Sequence, residues 1–417
     1  MERASSIGMR LKLDRVLPAT FAWSRILVIA FLASASFGVA AGEFPTSASA
    51  TSSVSSPSKM SNDFDARLAS DGKALWLATT GFTDAEGSSL HTQVVALKNG
   101  KWTKLPGNPF SSTDTALQIV ARDFHGRRAT EPCVGFTDQS SFGRIRCFAG
   151  GTWHEKLIDK SLRSFGLEGL VADGKTITAF FRKIAKDGAT EVRVARMKKN
   201  DRFVPFGPPL KFKDFVLAQF GLKTTDHSSD RRIDLVISPS FRGDGIEWVA
   251  TLKDSKWSRS ETVPKKGIFG LLTGSVRTRN SLYVPTTTGY HTDAWPLSIF
   301  RQHADEWKEV GDAPLSQVGA TQGGIDPSGR DVWATWGEQE WQESGSLYPT
   351  KQWAARISPS GESFEKPVLL WSGARNFPGQ QQTVEYRGKP AFLYIRQFVN
   401  HGPTRATVDF TLQSPND

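Results

Sequence analysis

A small or polar turn ending in an aromatic residue recurs six times along the 417-residue chain, and its spacing constrains the fold more than any other feature. The turns read Asn99-Gly100-Lys101-Trp102, Gly150-Gly151-Thr152-Trp153 and Asn200-Asp201-Arg202-Phe203 in the first half. Asp254-Ser255-Lys256-Trp257, Ala304-Asp305-Glu306-Trp307 and Ser360-Gly361-Glu362-Ser363-Phe364 follow in the second. Their terminal aromatics lie 51, 50, 54, 50 and 57 residues apart. A near-constant period of this length is what stacked supersecondary units produce, because each unit buries its apolar face only against its neighbours.

Each period carries the same pieces. A short inner strand runs into a turn, as in Leu68-Ala69-Ser70-Asp71-Gly72-Lys73 and Leu170-Val171-Ala172-Asp173-Gly174-Lys175. A second strand rich in β-branched and aromatic residues follows, predicted over 74–80, 131–136, 176–182, 233–238, 281–286, 331–336 and 390–396. A loop of variable length leads to a third strand, predicted over 93–97, 144–148, 191–197, 246–252, 297–301, 352–357 and 407–412. The aromatic turn then opens a fourth. The stretches Gly81-Phe82-Thr83-Asp84 and Gly135-Phe136-Thr137-Asp138 are identical and end the second strand in repeats one and two. Seven second strands against six aromatic turns leave the last repeat without its outer strand, and an unpaired sheet edge invites aggregation. The expected architecture is all-β: a seven-bladed β-propeller of four-stranded antiparallel blades, its ring closed by the mature N-terminal segment near Pro57–Asp65. A pair of sandwiches does not predict seven equal units, and an open solenoid does not account for the single missing strand.

Residues 1–41 read as an export signal. Arg3, Arg10, Lys12, Arg15 and Arg25 form a basic region, Ile26–Phe37 a short apolar one, and Val39-Ala40-Ala41 the small residues before a cut after Ala41. The apolar run is short for a bilayer span, and no other transmembrane segment is expected in the mature chain, which is placed in the periplasm or outside the cell. Residues 42–62, rich in Ser, Ala and Thr, read as a flexible linker, and the propeller as 63–417. In such a compartment Cys133 and Cys147, symmetric about Ser140 in one hairpin, are expected to close a disulfide.

The formal charge of +10 falls to about +7 without the signal, whose five basic and two acidic residues contribute +3. Lys and Arg are spread over every repeat, so no nucleic-acid partner is expected. No His spacing suits a metal, and neither metal nor cofactor is expected. The aromatic turns themselves read as packing between neighbouring repeats. The richer chemistry lies in the loops between second and third strands of repeats five to seven. Tyr290, His291 and Asp293, then Glu338, Glu340 and Trp341, then Arg396 are the candidate ligand-binding residues: aromatic faces suit sugar rings, and carboxylates and arginine suit their hydroxyls or acidic groups. Inner-strand polar residues Gln118, Glu168, Gln219, Gln322 and Gln381 are expected to line a hydrated channel.

The turn-plus-aromatic resembles the Asp-box, or BNR, repeat of sialidase-like β-propellers, whose pattern is S-x-D-x-G-x-x-W. Ser358-Pro359-Ser360-Gly361-Glu362-Ser363-Phe364 carries its Ser, Gly and terminal aromatic but lacks its Asp and is one residue short. The resemblance implies a propeller. A sialidase would add an arginine triad, a Tyr–Glu nucleophile pair and an acidic general acid, and the Phe-Arg-Ile-Pro stretch that carries its first arginine is absent, so no catalytic residue transfers. The expected function is a ligand-binding or scaffold module, monomeric, for a glycan or other envelope component. The alternative is a sialidase-like glycoside hydrolase using Tyr290 or Glu338 and Glu340.

Overall fold

The computed structural model describes residues 51–55, 63–82, 90–98, 101–107, 110–112, 118–123, 130–138, 140, 142–173, 176–198, 201–213, 216–219, 222–224, 233–239, 248–253, 256–261, 275–287, 297–304, 306–311, 320–341, 347–372, 382–396 and 405–409. Ser49–Asp417 forms one compact unit, and Met1–Ala48, the other, lies outside the described residues. The chain is an all-β β-propeller built on four-stranded antiparallel sheets, seven of them among the described residues. Short extra strands join some sheets, two of them in parallel: Leu157–Ile158 beside Arg202–Phe203, and Leu222–Thr224 beside Ser275–Arg277.

The second strands run over Leu75–Phe82, Thr130–Thr137, Thr176–Ile184, Ile233–Pro239, Ser281–Thr287, Asp331–Trp341 and Lys389–Arg396, close to expectation. Their near-continuous apolar character has a plain cause. Successive residues of a strand point to opposite faces of its sheet. Phe180 packs with Leu235 and Val249 of the following repeat, while Phe181 packs with Ile145 and Leu167 on the preceding side. Leu77 and Ala78 divide in the same way. With both faces buried, no polar alternation survives. The first and last repeats meet likewise, Leu68, Leu77 and Val95 packing against Ala391 and Leu393.

Two of the aromatic turns clamp consecutive repeats. Trp153 Nε1 donates to the carbonyl of Pro106 at 2.9 Å, and Trp257 Nε1 to that of Pro208 at 2.8 Å. Each acceptor lies just past the outer strand of the preceding repeat, so the indole fixes where the chain leaves one sheet for the next. Repeat six departs from the expected layout. Phe364 makes only an isolated bridge with Ile357, and the outer strand begins later, at Val368–Ser372. Gly361 there stands at φ 73, and a Cβ at that position would lie 2.3 Å from the Tyr283 hydroxyl, so the turn is shaped to seat the preceding sheet.

The strand pairing with the last repeat is Thr51–Ser55, antiparallel to Arg405–Asp409 from Thr51↔Asp409 to Ser55↔Arg405. It lies inside the stretch read as a flexible linker. The Pro57–Asp65 window does not supply it: Asp63 already opens the inner strand of repeat one. Ser/Thr-rich composition lacks a burial signal, yet a strand at a sheet edge needs only backbone partners on one side. Cys133 and Cys147 are directly opposed and disulfide-bonded, both fully buried.

Candidate functional site

Within each sheet the register sets apart two ends. Ser70↔Leu75 and Lys98↔Lys101 place the first-to-second and third-to-fourth turns of repeat one at one end, and Phe82↔Leu90 places the second-to-third hairpin at the other. Of the candidates, Glu338, Glu340, Trp341 and Arg396 lie on strands at that second, hairpin end. Repeat six reaches farthest there. Its strands Asp331–Trp341 and Leu347–Arg356 stay paired out to Trp341↔Leu347, with an irregularity between Glu338 and Gln339. What reads as a loop from Gly337 to Tyr348 is therefore mostly extended hairpin, because Trp336, Trp341, Tyr348 and Trp353 suit cross-strand pairing.

Glu338 sits on this hairpin, partly buried, with both carboxylate oxygens engaged. Lys351, directly across the ladder, donates from Nζ to Oε1 at 2.8 Å, and Trp353 Nε1 donates to Oε2 at 2.7 Å. Trp353 packs in turn on the cluster containing Trp336, Ile325 and Tyr283 between repeats five and six. The carboxylate thus fixes an indole and an ammonium in one frame. Lys351 and Trp353 escaped the sequence reading. Counting outward from the Trp341↔Leu347 tip would have found them, since Trp336↔Trp353 and Glu338↔Lys351 follow once one bulge is allowed.

The other candidates are only partly placed. Glu340, Trp341 and Arg396 lie on paired strands, opposite Tyr348, Leu347 and Arg405, but their side chains fall outside the described residues. Tyr290, His291 and Asp293 fall wholly outside them, between the paired ends Thr287 and Leu297. Repeats six and seven are neighbours, joined by the Thr383 N–H donating to buried Asp326 at 2.7 Å and by the Trp333–Phe392 edge contact.

Of the polar residues expected along the inner strands, Glu168 has a described side chain. Glu168 occupies a bulge between Leu167 and Gly169, and Arg182 on the adjacent strand donates to it from Nε at 2.8 Å. A carboxylate held by an arginine of its own sheet is a strut. The side chains of Gln118, Gln219, Gln322 and Gln381 lie outside the described residues. Gln382, unremarked in the sequence, makes a reciprocal pair with the backbone of Leu68: the Leu68 N–H donates to Oε1 at 2.7 Å, and Nε2 donates to the Leu68 carbonyl at 2.8 Å. Among the described residues no group of three or more His, Cys, Asp or Glu is gathered as metal ligands are.

At the hairpin end of repeat two, the Gly-Phe-Thr-Asp stretch shows its purpose. Asp138 Oδ1 accepts the N–H groups of Ser140 and Phe142, and Oδ2 accepts Arg144 Nε at 2.6 Å. Burial alone would raise the Asp138 pKa, but the bonds from Arg144, Phe142 and Ser140 outweigh it and hold the carboxyl below its ordinary value. A depressed folded pKa contributes stability that is present above the unfolded value of about 4 and is lost as pH falls through the folded one. Asp138→Asn is accordingly expected to lower Tm at pH 6 and to make little difference near pH 2. Paired thermal melts at the two pH values check this, and an equal gap at both would refute it.

Comparison with known proteins assigns the chain to no family. No family model matches the chain, and no curated protein matches it. Among solved structures, it is similar to the fucose-specific lectin from Aleuria aurantia, at 12% identity over 85% of this chain and 97% of that one, TM-score 0.40. It is also similar to Trypanosoma rangeli sialidase, at 9% identity over 88% of this chain and 60% of that one, TM-score 0.44. The acylaminoacyl peptidase of Pyrococcus horikoshii aligns at 10% identity over 81% of this chain and 50% of that one, TM-score 0.47.

Proposed function

We propose that the chain is an exported ligand-binding or scaffold propeller whose ligand is a carbohydrate or another envelope component. The ligand is held at the hairpin end of repeats five to seven by Tyr290, His291, Asp293, Glu338, Glu340, Trp341 and Arg396. In this reading the molecule is a monomer released after cleavage near Ala41. Its seven sheets are blades of one ring that the Thr51–Ser55 strand closes against the last repeat.

The observation that carries binding over hydrolysis is the engagement of Glu338. A glycosidase needs one carboxyl free to give a proton and a second group free to attack or to activate water. Glu338 already accepts from Lys351 and from Trp353 on its two oxygens. Such a frame positions a surface and does not approach a scissile bond.

A glycan array with the mature protein tests the proposal. Stacking a sugar face on an aromatic ring is worth about 1 kcal/mol, so Trp341→Ala should weaken a bound glycan about fivefold to tenfold with Tm unchanged. Released sugar in the same panel, abolished by Glu340→Gln, would overturn binding in favour of a sialidase-like hydrolase.

A further inference from the structure

The opposite end of the sheets carries a different chemistry. In repeats six, seven and one the turns at that end are in contact. Gly72 bridges Tyr386, and the Arg387 N–H donates to the Gly72 carbonyl at 2.7 Å. The carboxylate of Glu385 reaches the turn of repeat six, where a Cβ on Gly329 would lie 2.7 Å from its Oε2. From this arc Lys73, Lys98, Lys101, Arg330 and Arg387 all extend exposed.

Two of the three nearby carboxylates hold bonds within the fold. Asp71 Oδ1 accepts the N–H groups of Lys73 and Ala74, Asp331 accepts Arg356, and Glu385 packs on the Gly329 turn. Two features of the arc work against stability. Lys98 and Lys101 face each other directly across the ladder, where like charges repel. Arg387 stands at φ 53 as the first residue of the two-residue turn between Tyr386 and Lys389, a left-handed position that glycine or asparagine suits better than arginine. The same opposed pair recurs at this end of repeat four as Lys253 and Lys256, whereas repeat five places His303 opposite Glu306.

We propose that the turn end of repeats six, seven and one is a docking surface for a linear acidic polysaccharide, held by Lys73, Lys98, Lys101, Arg330 and Arg387. A row of cations spread over four turns of three adjacent repeats matches a chain of regularly spaced anions and is too extended for one phosphate or carboxylate. The exposed large apolar side chains among the described residues, Phe142, Leu157 and Leu369, lie outside these turns, so the arc offers nothing to insert into lipid. The surface is separate from the hairpin end and does not depend on the glycan reading made there.

Heparin serves as the probe, with the mature chain titrated over a salt series. A polyanion releases about one counterion per cation engaged, so a Lys98→Ala, Lys101→Ala, Arg387→Gly triple variant should lower the log–log salt slope by about three and weaken binding at least about a hundredfold near 0.1 M salt. Arg387→Gly alone relieves the left-handed backbone and should leave Tm equal or higher, which separates lost binding from lost folding. A matched triple at the hairpin end, Lys160→Ala, Arg163→Ala and Lys186→Ala, should leave the slope unchanged. Equal loss in both triples, an unchanged slope in the first, or binding to phosphatidylglycerol vesicles without binding to heparin would overturn the proposal.

Discussion

Replacing Asp234 by alanine is expected to destabilise the fold by about 3–5 kcal/mol, the largest single effect in the described core. Asp234 is only 1% exposed and lies on the second strand of repeat four. Its Oδ2 accepts Arg277 Nε at 2.6 Å from the inner strand of repeat five, and its Oδ1 accepts the Thr251 hydroxyl. The bond thus ties two consecutive sheets through their interior. Alanine leaves the Arg277 guanidinium, itself mostly buried, without its counter-charge. The cost is that of the abandoned partner, not of the pair. A double variant that removes both charges, Asp234→Leu with Arg277→Met, should therefore recover most of the loss, since apolar replacement of a buried pair is often near neutral. Urea denaturation of the three proteins at pH 7 measures this. A single variant within about 1 kcal/mol of the parent would refute the bridge.

Losing the Cys133–Cys147 bond is expected to cost about 3 kcal/mol. The two cysteines are 14 residues apart, and closing a loop of that size restricts the unfolded chain by roughly this amount at room temperature. Both sulfurs are sealed in the interface between repeats two and three, with Ile145, Ile177 and Phe203 around them. Reductant added to folded protein should accordingly act slowly, at the rate of opening, while the Cys133→Ser, Cys147→Ser variant shows the full loss at once. Thiol titration before and after unfolding distinguishes the two. Immediate reaction of native protein would contradict the burial, and free thiols in the purified, non-reduced protein would contradict the pairing.

Local signals were enough to find the sheets. Turn glycines such as Gly72, Gly329 and Gly388 stand at positive φ where the sequence placed turns, and strands filled with β-branched and aromatic residues follow each of them. The disulfide was legible because hairpin symmetry about Ser140 fixes a register without knowledge of anything beyond the hairpin. What stayed hidden depended on partners distant in the chain. Asp234 meets Arg277 only once two sheets are stacked face to face. Thr51–Ser55 looks like linker because its Ser and Thr residues carry no burial pattern, and only the waiting edge at Arg405–Asp409 makes it a strand. At the candidate site, the type of residue was readable but the hairpin was not: Glu338 looked like a loop carboxylate free for chemistry, and the ladder delivers Lys351 and Trp353 to it instead.

The reciprocal bond between the Gln382 side chain and the Leu68 backbone has a kinetic consequence. Its partners are 314 residues apart, and the strand pair Thr51–Ser55 with Arg405–Asp409 is more distant still. Contacts of such sequence separation form late and slowly, after the entropy of a very long loop has been overcome. As the chain emerges N-terminus first, its opening repeat must wait with one apolar face uncovered until the final segment arrives. Holding that face apart from other unfinished chains is then the step that limits how fast the protein can be made.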